Sequence, residues 1–173
     1  LEAFATKNTG KLVDCTVGLG GHSLALLQNL PAGTQLLGID LDPIAIAHAK
    51  KNLGKFSNCV KLECGNFASL LSICRNNSFT NIGCIIFDLG LSSAQIESSK
   101  RGFTFSKEEP LDMRFSPKEP QTAHNIVNNY NEKTLRKILY DFGEERSAKR
   151  ITKAILANRP IHSSLQLSEI IKS

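Results

Sequence analysis

A chain of 173 residues, 41% hydrophobic and 21% charged, has the size and composition of a globular protein with its own core, which excludes disordered and fibrous classes. No apolar run reaches the roughly 18–20 residues that span a bilayer, and Leu1 to Lys7 lack the regions of a signal peptide, so the chain reads as intracellular. A net charge of +5 points mildly to a polyanionic partner, and five cysteines without a CxxC pair count against disulfides and a metal site.

Lys11-Leu12-Val13-Asp14-Cys15-Thr16 is a short apolar run ahead of Gly18-Leu19-Gly20-Gly21, and Leu24, Leu27 and Leu30 follow at helical spacing. This predicts strand, glycine turn and helix. A second strand, Gln35 to Ile39, ends at Asp40; Asp42 as N-cap and Pro43 at the first helical position then open a helix. Cys59 to Glu63 reads as a third strand, Ala68 to Cys74 as a helix, and Ile82 to Phe87 as a fourth strand ending at Asp88. Strands alternating with helices imply crossovers, a mostly parallel sheet covered on both faces, and ligands at the carboxyl ends of the strands. From about Asp88 to Gln121 the sequence is polar and punctuated by aromatics. Helical patterns follow near 122–129, 132–142 and 144–158, with Gly143 as a stop, Pro160 ending the last, and Ser163 to Gln166 resembling a capping box. The expected division is therefore 1–93 for a Rossmann-like α/β domain and 94–173 for a mainly helical unit. Without an initiating Met, and ending inside a helical pattern, the chain reads as a piece of a longer protein.

Gly18-x-Gly20-Gly21 lets backbone approach a ligand at a helix N-terminus, but its spacing does not choose between a nicotinamide and an adenosylmethionine cofactor. Asp40, 22 residues past Gly18, is placed to accept the hydroxyl hydrogens of a ribose, and Asp88 lies at the edge of the same crevice. Phe103 and Phe105 are candidates to stack on unpaired bases, with Arg101 on a phosphate. Arg146, Lys149, Arg150 and Lys153 recur at i, i+3, i+4 and i+7, which predicts a basic helical face for RNA.

Six ordered blocks resemble a known family, the small-subunit ribosomal RNA cytosine-N4 methyltransferases (RsmH or MraW). They are Asp14 to Ser23, Ile39 to Ile46, Asp88 to Gln95, Arg101 to Phe105, Pro110 to Arg114 and Tyr140 to Arg146. The resemblance implies a class I methyltransferase sheet, incomplete here, with an inserted RNA-recognition unit. It implies S-adenosylmethionine contacts at Gly20, Gly21, His22, Asp40, Phe67, Asp88 and Gln95. The expected partner is small-subunit ribosomal RNA or the 30S-type subunit, the target a cytidine at the decoding centre, and the compartment the bacterial cytoplasm; neither metal nor membrane is expected. Cytosine's exocyclic nitrogen is a poor nucleophile, because its lone pair is conjugated with the ring. A carboxylate such as Asp88, accepting its N–H hydrogens, favours the pyramidal form.

Val17, Leu41, Asn66 and Glu109 depart from the family's pattern, as does the lack of an N-terminal His-x-Pro-Val-Leu-like motif and of a C-terminal part completing sheet and insertion. The resemblance therefore implies weak cofactor binding and inactivity on RNA for this 173-residue piece. Two rival readings are a non-catalytic RNA-binding or assembly module that keeps the Rossmann-like shell, which predicts loss of Asp40 and Asp88, and a nicotinamide-dependent oxidoreductase, which predicts a proton-relay pair in the second half.

Overall fold

The structure, a computed structural model, describes residues 10–92, 95–96 and 100–172. The chain divides into two compact units, Leu1–Ser92 and Ser93–Ser173; the junction expected at residues 93–94 lies outside the described residues.

The first unit runs β1 (Lys11–Asp14), α1 (Gly21–Asn29), β2 (Gln35–Asp40), α2 (Pro43–Asn52), β3 (Val60–Cys64), α3 (Leu70–Asn76) and β4 (Cys84–Ile86). The sheet has the order β3-β2-β1-β4, all pairs parallel, with Lys11 opposite Gln35, Leu36 opposite Val60 and Leu12 opposite Cys84. This is a Rossmann-like α/β arrangement. Alternation along the strands sends Leu12 and Leu36 to one face, packed with Leu26, Leu27, Ala49 and Leu53 of α1, α2 and the turn after it. Val13 and Leu37 go to the other, packed with Ile39, Cys74 and Phe79. β1 and β2 are covered on both faces, which is why they were legible as apolar runs, whereas β3 alternates, with Lys61 and Glu63 exposed.

β1 and β4 are shorter than the runs read from the sequence, and β3 is displaced by one residue. β1 stops at Asp14 because its own carboxylate accepts a hydrogen bond from the Thr16 amide (3.1 Å) and turns the chain. The start of α2 is as expected: Asp42 caps it by accepting from the Ile44 amide (3.0 Å), with Pro43 next.

Among the described residues, the second unit contains α4 (Ala123–Asn129), α5 (Glu132–Asp141), α6 (Ala148–Ala157) and α7 (Ser164–Lys172) around Leu111, Val127, Leu135, Ile151, Ile155 and Ile161. Thr122 and Asn131 cap α4 and α5 by accepting from the amides of Asn125 (3.1 Å) and Thr134 (2.9 Å). Ser163 caps α7 through the Gln166 amide, while Gln166 reaches back to the amide of His162 rather than of Ser163. The helix expected over 144–158 begins only at Ala148. Glu144, at φ 50°, takes the left-handed turn after α5, and a Cβ at Gly143 would lie 2.7 Å from the Leu139 carbonyl oxygen, so glycine is needed there for space. Arg146 consequently sits in that turn and not on α6.

Candidate functional site

β1, β2 and β4 end side by side at Asp14, Asp40 and Ile86, and the strand order reverses at β1: β2 and β3 lie on one side of it, β4 on the other. Such a reversal opens a crevice at the carboxyl edge of a parallel sheet.

Asp40 ties the glycine turn to β2. Its Oδ2 accepts from the Gly18 amide at 2.8 Å and its Oδ1 from the Asp42 amide at 2.9 Å. Gly20 is the N-cap of α1 at φ 86°, and a Cβ there would come within 3.2 Å of the Leu53 side chain. A side chain at this position would be strained and would push on the chain end of α2.

Asp14, to which the sequence reading assigned no role, organises the rest. It is buried, accepting from the Ser23 hydroxyl (2.6 Å) through Oδ2 and from the Thr16 amide through Oδ1. Burial pushes its carboxyl above the ordinary value, against the lowering effect of those hydrogen bonds. Thr16 in turn accepts, through its hydroxyl oxygen, from the amide of Asp88 (2.8 Å). The Asp88 carboxylate then lies 3.3 Å from Nδ1 of His22, with both side chains largely exposed. Asp14, Thr16, Asp88, His22 and Ser23 thus form a closed circuit joining β1, the turn after β4 and the first turn of α1. The exposed His22–Asp88 contact adds little stability. The signal that could have found Asp14 and Ser23 was an acid closing an apolar strand nine residues before a serine in the next helix's first turn.

Phe67 packs edge-on against Phe87, ring centroids 5.5 Å apart, beside Asp88 in sequence. Gly21 has nothing within 4 Å of where a Cβ would stand, and Gly18 only the Thr16 carbonyl oxygen at 3.9 Å. Each Asp40 oxygen has one amide donor, and a carboxylate offers about four acceptor positions in all. Open space at the glycines, spare acceptors at Asp40 and an aromatic rim fit a ribose-bearing cofactor. The structure therefore brings Gly20, Gly21, His22, Asp40, Phe67 and Asp88 together in one unit; Gln95 is buried and belongs to the other.

In the second unit, Nη1 of Arg101 donates to the carbonyls of Arg114 and Phe115, both at 2.9 Å, tying a loop together. Phe103 packs on Phe115 at 5.6 Å, whereas Phe105 is 68% exposed, with the Lys172 ammonium 6.0 Å from its ring. Lys149, Arg150 and Lys153 stand exposed on α6, opposite buried Ile151, Thr152 and Ile155. The departures from family pattern have local uses: Asn66 accepts from the Ala68 amide, Val17 is core, and buried Glu109 accepts from the Gly102 amide at 2.9 Å. Among the described residues, no group of three His, Cys, Asp or Glu is placed to hold a metal ion, and no helix is long and apolar enough to cross a membrane.

A model of the MraW methylase family matches residues 1–173. The ribosomal RNA small subunit methyltransferase H of Dehalococcoides mccartyi is 45% identical over 163 residues, 94% of this chain and 47% of that protein. The protein of the same name from Mycoplasma mycoides is 42% identical over 173 residues, 100% of this chain and 56% of that one. The chain thus spans about half the length of these curated relatives. A solved structure called a putative rRNA-methylase, from Clostridium thermocellum, aligns at a TM-score of 0.43 and 22% identity, over 53% of this chain and 48% of that one.

Proposed function

Since the chain belongs to the MraW methylase family, we propose that it serves S-adenosylmethionine-dependent methylation of the exocyclic amine of a cytidine in small-subunit ribosomal RNA, at the decoding centre. The observation that carries the reading is the placement of the glycine turn, Asp40 and Asp88 at the carboxyl edge of one parallel sheet. Such a substrate puts the work in the compartment where small subunits mature, the cytoplasm of a bacterium.

Asp40 would hold the ribose hydroxyls with its remaining acceptor positions, and the open backbone at Gly18 and Gly21 would receive the amino-acid end of the cofactor. When bound, S-adenosylmethionine supplies an electrophilic methyl group on a sulfonium, and no metal is required. Asp88 has its backbone amide bonded to Thr16 and its carboxylate 3.3 Å from Nδ1 of His22. It is placed to accept the N–H hydrogens of the cytosine amine, turn its lone pair out of conjugation and take up the proton the amine releases.

Calorimetric titration with S-adenosylhomocysteine, with NADH as control, tests the cofactor class. Saturable binding of the first alone is expected; selective NADH binding overturns the reading. Asp40→Ala is expected to weaken that binding by about 1–3 kcal/mol, the loss of a charge-assisted hydrogen bond. In a full-length version of the protein, Asp88→Ala is expected to abolish methyl transfer to small ribosomal subunits; near-normal turnover would remove its assigned role.

A further inference from the structure

We propose that the outer face of α5, with the residue that follows it, is a binding surface for a single-stranded segment of ribosomal RNA, its unpaired bases stacking on Tyr140 and Phe142 and its phosphates meeting Lys133 and Arg136. The proposal rests on the proposed function and places RNA on a helix of the expected RNA-recognition unit in which the sequence reading singled out no RNA-binding residue.

The helix divides cleanly. Leu135 is buried and Ile138 and Leu139 are half-buried, whereas Lys133, Arg136, Lys137 and Tyr140, at i, i+3, i+4 and i+7, are all exposed and share one face. Tyr140 is 63% exposed, and Phe142, just past the helix, is 81% exposed, the most of any large hydrophobic among the described residues. Two aromatics kept in water, in a unit that buries Leu135, Ile151 and Ile155, mark a surface that waits for a partner. Asp141, the acid closing the helix, is already bridged by Lys137 at 2.8 Å, so it does not repel an approaching phosphate at full strength.

The composition of the face selects the partner. Protein interfaces are depleted of lysine at their centres and would leave these cations to be desolvated. Stacking platforms flanked by cations suit single-stranded RNA, whose splayed bases offer flat apolar faces next to charged phosphates. A duplex hides those faces. α5 packs on α6, which carries exposed Lys149, Arg150 and Lys153, and Arg146 lies in the turn between them, so cationic side chains continue beyond the aromatics. Between Glu132 and Lys153 there are seven Lys and Arg against four Asp and Glu.

The test is fluorescence anisotropy of the full chain with a labelled single-stranded oligonucleotide of small-subunit ribosomal sequence and with the same sequence annealed to its complement. The wild type is expected to prefer the single strand. Tyr140→Ala with Phe142→Ala should lose about tenfold or more of that affinity, while folding, followed by circular dichroism, stays intact. Tyr140→Phe should bind as the wild type and Tyr140→Leu should not, which separates stacking from mere bulk. Lys133→Gln and Arg136→Gln should each reduce the slope of log affinity against log salt by about 0.7. Unchanged affinity in the double aromatic variant overturns this inference and leaves the proposed function standing. A wild type that binds no RNA overturns this inference, whereas the proposed function is decided by the cofactor titration, and a Phe142→Ala variant that turns a dimer into a monomer without changing RNA affinity assigns the surface to a second copy of the chain instead.

Discussion

A buried carboxylate is costly unless hydrogen bonds hold it, and Asp14 keeps its place through the Ser23 hydroxyl and the Thr16 amide. Asp14→Ala leaves both donors without their acceptor and is expected to cost about 1–3 kcal/mol in denaturant unfolding. Its pH behaviour follows from its raised pKa. The folded chain binds the proton more tightly than the unfolded one, so this group's contribution to stability declines as pH rises above about 3.8, through the folded value. Asp14→Asn should remove that decline, seen as a flatter plot of stability against pH. The cysteines give a second check: burial pushes the Cys15 thiol up to about 11 and raises that of Cys74, whereas Cys64 is exposed. Alkylation with mass-spectrometric readout should modify Cys64 first and reach Cys15 and Cys74 only on unfolding. Asp40 and Asp88 were legible because each closes an apolar run. Asp14 closes one too, and only the serine nine residues on, in the first turn of the next helix, marks its carboxylate as turning inward rather than outward to a ligand.

Caps and turns decide where the elements begin. Asn131→Ala removes the acceptor for the Thr134 amide at the start of α5 and is expected to cost about 1 kcal/mol, measured by thermal unfolding. Helices read from apolar periodicity were found near their expected positions, but α3 runs Leu70–Asn76 instead of 68–74 and α6 begins at Ala148 instead of 144, so the basic stripe lost Arg146; periodicity does not reveal a left-handed residue, and glutamate is an unusual occupant of that region. The loop before α4 was less legible still. There Arg114 pairs with Asp112 through two short contacts (2.6 and 2.8 Å) and also donates to the carbonyls of Pro117 and Glu119, an arrangement built from bonds between residues two to five apart. The block Pro110 to Arg114 marked Asp112 and Arg114 together without saying that they hold one another, and it left out Pro117 and Glu119.

For the whole chain, acid acts on the two units in opposite directions through these groups. The Arg114 side chain holds the Asp112 carboxyl below its ordinary value of 3.8, so the stability that pair provides is present at higher pH and is lost as pH falls below about 3.8 and through the folded value. Asp14 contributes the reverse in the first unit. Hydrogen exchange between pH 5 and 3 should therefore show protection falling faster around residues 110–120 in the wild type than in Arg114→Met, which lacks the pair. The layered sheet was legible from alternating strands and helices, whereas the side of β1 on which β4 lands was not, since both neighbours are parallel and joined through helices. That landing site has a consequence in time. β1 meets β2 when synthesis has advanced from Leu12 to Leu36, but meets β4 only once Cys84 has emerged. At about 5–20 residues per second the central strand spends roughly 2–10 s with one edge unpaired on every nascent chain, a recurrent opening for chaperones or for a neighbouring chain on the same polysome.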